Sequence, residues 1–398
     1  MNSMIKMTAL AAALVATSGA AYGQKTSTNG GLRVQTDDGK FEFRLGARIH
    51  FDTYLFDDPE VGGVEQPRTN ASTTEFRRTR LTLRGKAYNW NYILEQDFSA
   101  GNTTAGYRDV NISTKVGPGT LVIGQFKPYR SMEEMTSSNE ITMMERAFSS
   151  SAGLYNGRQF QQGVGYRMGG DSYTFNNAVF NLRDAAAGRN EGMGFSSRLT
   201  FAPISSDTST LHLGLSYSLE NRNGDGVHST SAAATSASGG FSGRRGLSQA
   251  IATVAPNDSM DAVGLEVGYT AGPLFVQAEY SMATFGQDTA SDQDVNTYYV
   301  MAAFNLAGLT KAYNKGNGAF QSIVPGAGGA LELTARYDFI ENDDTGAEAS
   351  NIIVGGNYYL NPNTRVMLNY TIGEGKNTAT PQVKTEQNQL ALRVQYAF

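Results

Sequence analysis

From Phe41 to Asp52 the chain alternates strictly between two kinds of residue. Phe41, Phe43, Leu45, Ala47, Ile49 and Phe51 take the odd positions, while Glu42, Arg44, Arg48, His50 and Asp52 take even ones. Successive side chains of a strand point to opposite faces, so this period puts the apolar groups on one face and the charges on the other. The run is as long as a tilted membrane strand needs to be. The pattern returns at Leu81 and Leu83, from Leu211 to Leu219, from Val263 to Tyr269, from Leu331 to Phe339, from Val366 to Ile372 and from Leu390 to Phe398. Further candidates lie near 90–98, 107–116, 120–127, 160–168, 172–182, 193–202, 273–281, 297–306 and 351–360. About sixteen strands are therefore expected, an even number that suits a transmembrane antiparallel β-barrel wide enough for an aqueous channel.

The flanks and connections agree with an exported all-β chain. Lys6, the short apolar run Met7–Ala16 and the small residues before Gly23 predict a signal peptide over 1–23. Polar residues 24–39 are expected to form a periplasmic arm, and 40–398 the outer-membrane barrel. There is no cysteine, so no disulfide framework holds the fold. The 45 glycines and 40 Tyr plus Phe suit turns, barrel walls and interfacial girdles. Short Gly/Pro turns, such as Gly117-Pro118-Gly119 and Asn361-Pro362-Asn363, alternate with long connections near 53–74, 128–159, 221–259, 282–296 and 373–386. The connection at 307–328 breaks this scheme, being long where a short turn is due. The Ser/Ala-rich stretch Ser229–Gly240 reads as a loop tip.

Catalytic chemistry finds little support. His50, His212 and His228 have no metal-ligand neighbour at useful spacing, and no nucleophile motif is present. No enzyme activity, cofactor or nucleic-acid partner is expected. The basic residues are a better lead. Arg44 and Arg48 share the polar face of the first strand; Arg78, Arg80, Arg84 and Lys86 share that of the second. Arg77 is out of phase and must lie at a strand end or a bulge. A basic strip on one wall is how anion pores select, unless acidic partners neutralise it. Such partners are available in Asp52, Glu95, Asp97 and Asp109, and in Glu133, Glu134, Glu140 and Glu145 of the 128–159 connection. That connection lacks alternation, and its Met and Glu content favours a helical turn or two within 131–148. It is expected to fold into the barrel as a constriction loop.

The run Leu121–Arg146 resembles the phosphate-selective porin O/P family, above all in Gly124-Gln125-Phe126-Lys127-Pro128, Thr136-Ser137-Ser138 and Glu145-Arg146. Leu45–Ile49, Glu75-Phe76-Arg77-Arg78 and Leu360–Asn363 match as well. The resemblance implies a trimeric outer-membrane porin, surrounded by lipid and passing small anions. It implies a narrow site bordered by Arg48, Arg77, Arg78 and Asp109; Arg80 and Arg84 of the basic strip and Lys127 are further candidates for anion binding, and Arg146 belongs to the constriction loop. Two departures bear on specificity. Glu134 and Asn139 stand where phosphate-selective members carry lysines, and only Arg244 and Arg245 match the arginine run of the fifth loop. The resulting expectation is passive diffusion of small hydrophilic solutes with anion, including phosphate-type, preference. A general or cation-leaning porin and a non-conducting adhesin barrel are the rival readings.

Overall fold

The computed structural model describes residues 24–27, 32–66, 72–99, 106–184, 189–222, 236–253, 259–288, 290–377 and 383–398. The expected leader, His228 and most of the Ser229–Gly240 stretch lie outside the described residues. Within them, sixteen strands form the wall. β1 is Phe41–Phe56, β2 Thr73–Ala87, β3 Trp90–Asp97 and β4 Tyr107–Val116. β5 is Gly119–Phe126, β6 Gln161–Gly169, β7 Tyr173–Asp184 and β8 Arg189–Ser205. β9 is Ser209–Arg222, β10 Ser259–Ala271, β11 Leu274–Gly286 and β12 Gln293–Asn305. β13 is Ala330–Asn342, β14 Glu348–Asn361, β15 Thr364–Lys376 and β16 Lys384–Ala397.

Each strand pairs antiparallel with the next, and β16 returns to β1 from Ala397↔Arg48 to Gln389↔Phe56. A closed ring leaves no edge, so every wall amide can be satisfied in hydrocarbon. The seam is tight. Ala47 and Phe398 exchange backbone hydrogen bonds at 3.0 and 3.1 Å, and a side chain on Gly46 would meet the Phe398 carbonyl at 2.9 Å. Only glycine allows so close an approach.

The faces are inverted relative to a water-soluble sheet. On β10, Val263, Leu265, Val267 and Tyr269 are exposed on the outer face, and Glu266 and Thr270 are buried on the inner one. Two connections are shorter than the sequence suggests, because β11 and β12 run to Gly286 and Gln293, and β15 and β16 to Lys376 and Lys384. The ends of β15 and β16 carry Lys384 bonded to Glu374 and Glu386 on an exposed surface. Both faces are polar there, so alternation fades before the strand does. At the opposite end, Leu32–Gln35 pair with Glu42–Leu45 of β1, and Gln24–Ser27 fold back on them, which stitches the arm to the barrel rim.

Three segments fill much of the interior. Residues 127–160 join β5 to β6 and contain one helical turn, α1, Met132–Met135. Part of the β9–β10 connection forms a short hairpin, Ser236–Gly239 with Gln249–Thr253. Residues 306–329 join β12 to β13 at the end of the barrel that carries the termini, and pair Tyr313–Asn314 with Ala319–Phe320. The connection that broke the short-turn rule is thus a second inward element. Apolar cores sit inside the ring: Met132 and Met143 pack with Phe275, Tyr299 and Phe320, and Phe148 and Tyr155 pack with Phe241, Ile251 and Phe285.

Leu265 lies at the centre of β10 and is half exposed on the outer face. Leu265→Arg is expected to destabilise the barrel by about 2–4 kcal/mol, the cost of a cation near the bilayer midplane. The urea midpoint of folding into lipid vesicles measures this.

Candidate functional site

The β1–β2 wall sets the chemistry. In its register Arg44 faces Arg84, Arg48 faces Arg80, and His50 faces Arg78. The register then slips, because Phe51 opposes Phe76 and Arg77 is left over. This β-bulge lets Arg77 and Arg78 both reach inward although they are adjacent. Like charges directly opposed are unfavourable, so the strip needs acids. β3 supplies them. Arg48 donates to Glu95 at 3.1 Å, and Arg80 to Glu95 at 2.9 Å and Asp97 at 2.8 Å. Arg108 also reaches Asp97, at 3.4 Å. In these pairs the carboxylate is the deeper member: the side chains of Glu95 and Asp97 are 2% and 1% exposed, against 11% for Arg48 and 22% for Arg108. Arg84 is exposed, and carries no ion pair among the described residues.

The inner loop, residues 127–160, is fastened by its own acids. Ser131 has a left-handed φ of 55° and its hydroxyl caps α1 by accepting from the Glu134 amide at 3.2 Å. The Met132 and Glu133 amides donate to the Glu279 carboxylate of β11 at 3.1 and 2.7 Å. Glu133 accepts from Gln277. Glu134 accepts from the Ser151 amide at 2.8 Å and the Gln159 side chain at 2.7 Å, with Lys127 Nζ 3.7 Å away. Asn139 meets His50 at 3.1 Å, and Glu140 accepts from the Ser322 amide. Glu145 alone turns to the basic wall. Arg77 grips it with two bonds of 2.8 and 2.9 Å, Arg393 adds one at 2.9 Å, and Arg78 stands 3.9 Å away. Arg146 donates to the carbonyls of Glu133 and Thr136.

Two cavities flank Arg146, which lines both. The one towards the termini has a volume of about 230 Å³. Its lining holds seven cations, among them Arg48, Arg78, Arg80, Arg84 and Lys127, against the carboxylates of Glu95 and Asp109. The one towards the far end, of about 450 Å³, is lined by Arg77, Arg244, Arg245 and Arg336 with Glu145. Arg244 and Arg245 converge on Glu75 of β2, so the two basic residues of the β9–β10 connection bridge the mouth of the barrel. Arg336, Arg393 and Arg167 also serve these cavities or their ligating groups. All three lie on faces that alternation turns inward, but nothing nearby in sequence marks them out. The histidines are anchors more than pore lining. His50 is covered by Asn139, and His212 bonds Tyr313 of the 306–329 segment at 2.7 Å and Glu266 at 3.0 Å. Among the described residues no group of side chains has metal-site geometry.

Burial pushes the Lys127 ammonium down to about 7, and neighbouring Arg146 adds to the shift. For Glu134 burial acts upward, but Arg146 and Lys127 outweigh it and hold the carboxyl at about 2. A carboxyl pKa depressed in the folded state stabilises it fully above the ordinary value of 4.5, and the stabilisation is lost as pH falls through about 2. Between those limits the grip of Glu134 on Ser151 and Gln159 weakens, so current fluctuations from the inner loop should rise on acidification. Single-channel recording should show that rise in the native protein. Glu134→Gln, which has no carboxyl to titrate, should be noisier at neutral pH and respond less to acid.

Comparison with known proteins places this geometry in context. The family model described as phosphate-selective porin O and P matches residues 43–398. Porin O of Pseudomonas aeruginosa is 29% identical over 409 aligned positions, covering 93% of this chain and 92% of that protein. Among solved structures, OmpT, an outer membrane protein of Vibrio cholerae in trimer form, superposes with a TM-score of 0.57 at 11% identity, covering 90% of this chain and 99% of its own. The anion-selective porin from Comamonas acidovorans gives 0.58 at 11% identity, covering 90% and 100%.

Proposed function

The chain belongs to the phosphate-selective porin O and P family and is an outer-membrane channel, and from that premise we propose that it passes small hydrophilic solutes by passive diffusion with a preference for anions. The observation that carries this reading is the layering of charge, with cations towards the cavity and carboxylates behind them. A solute in the cavity next to Arg146 meets guanidinium groups first. At 4 Å and an effective dielectric of about 20, one unpaired cation attracts an anion by about 4 kcal/mol, before desolvation is subtracted. Several paired cations and a few unpaired ones give weak, repeated sites, which conduction requires.

The preference is for oxyanions as a class, with phosphate among them. Guanidinium forks match carboxylate and phosphate oxygens alike. Glu134 is an acid that accepts from the loop backbone and lies beside Lys127, and Asn139 is a neutral amide bonded to His50, so neither adds positive charge to the cavity. The site proposed for permeating anions comprises Arg48, Arg78, Arg80, Arg84 and Lys127, bordered by Asp109, with Arg77, Arg244 and Arg245 on the approach. The protein is further proposed to work as a homotrimer, in line with the neighbour described in trimer form.

Reversal potentials in a salt gradient across planar bilayers test the reading. The native channel should reverse on the anion-selective side; a cation-selective reversal overturns it. Arg84→Glu is the cleanest variant, because Arg84 makes no direct ion pair among the described residues, whereas removing Arg48 or Arg80 takes a hydrogen-bonded partner from Glu95. It should lower the anion-to-cation permeability ratio several-fold with the barrel intact.

A further inference from the structure

The cavity beyond Arg146 is about twice as large as the one below it, about 450 against 230 Å³. Met144, Phe148, Ile353 and Ala391 contribute to its lining alongside the arginines. A bare phosphate has no use for such a wall. The strongest cation grouping at its edge is already filled, and by a carboxylate. Glu145 is held in fork geometry by Arg77, bonded by Arg393 and approached by Arg78, although it belongs to the loop and not to the wall. Its side chain is 25% exposed, against 20% for Arg77, 5% for Arg78 and 0% for Arg393. The seat is therefore fixed in the barrel, and its occupant is the member nearer to the water. Two further arginines of this cavity, Arg146 and Arg336, are buried and each leaves an Nε–H without a hydrogen-bond partner.

We propose that this cavity is a binding site for small organic carboxylates, and that Glu145 is a built-in competitor which the entering carboxylate displaces from Arg77 and Arg393. The ligand sets its carboxylate into the fork that Glu145 vacates and lays its carbon skeleton on Phe148, Met144 and Ile353. Glu145 swings into the open cavity, where its exposed side already lies. The exchange replaces one carboxylate by another on the same guanidiniums, so no unpaired buried charge is created. The proposal rests on the anion-preferring reading above and deepens it by naming a ligand class for the outer cavity.

The test uses the full-length protein in planar bilayers, with chloride current measured as benzoate or inorganic phosphate is added. Benzoate should halve the native current at a lower concentration than phosphate. Without the competing charge, Glu145→Gln should lower the benzoate concentration required by about tenfold, since a charge-assisted fork is then free. Glu145→Asp, which keeps the charge but withdraws it by one methylene, should fall between and serves if the glutamine variant does not assemble. An unchanged benzoate requirement in the variants overturns displacement. Equal potency of phosphate and benzoate overturns the organic ligand class. A cation-selective native channel would instead sink the anion reading itself, and its reversal potential reports that separately.

Discussion

Within the apolar band of the wall a charge has one acceptable direction, which is inward. Hydrocarbon outside the ring leaves the lumen as the place for Arg, Lys, Glu and Asp of the wall, and partial filling of that lumen strips them of water. Desolvated ions are tolerated only when paired and hydrogen-bonded. The course of the inner loop follows from this. Arg48 takes Ser138, Arg77 and Arg393 take Glu145, Arg336 takes the Glu145 carbonyl, and Glu279 takes two loop amides. The loop is pinned to opposite walls by groups that would otherwise be unsatisfied.

This pairing also separates the formal charge of the chain from the field in its channel. The whole sequence carries a net charge of −5. Several acids of the lumen stand behind guanidiniums, as Glu95 and Asp97 do, or beneath the loop, as Glu134 does, while Glu145 stands in front and others lie on exposed surfaces at the strand ends. What a passing solute meets is decided by which partner stands in front.

Much of this was legible in the residues. Alternation located seven strands outright and nine further candidate runs brought the expected number to about sixteen, because a wall with lipid on one side and polar groups on the other imposes that period. Even the phase error at Arg77 carried information, since it required a strand end or a bulge, and a bulge is what the register shows. Legibility failed where alternation stops meaning anything. The strand ends beyond the apolar band, at Lys376 and Lys384, are polar on both faces. The 306–329 segment was visible as an anomaly in length but not as an inward fold, because the bonds of its Tyr313, Asn317 and Gly318 go to His212 and Arg198 on strands about a hundred residues away. The partners of Glu134 and Glu145 were equally hidden. Sequence shows that both are acidic, but not that one faces its own loop and the other the wall.

The inner loop and the 306–329 segment enter the barrel from opposite ends and touch. The Ser322 amide donates to the Glu140 carboxylate and the Ser322 hydroxyl to the Asn139 carbonyl. Together they form a strut across the lumen, with each half rooted in a different rim. A shift of either segment is therefore coupled to the other through these two bonds and through the packing of Met132 and Met143 against Phe320.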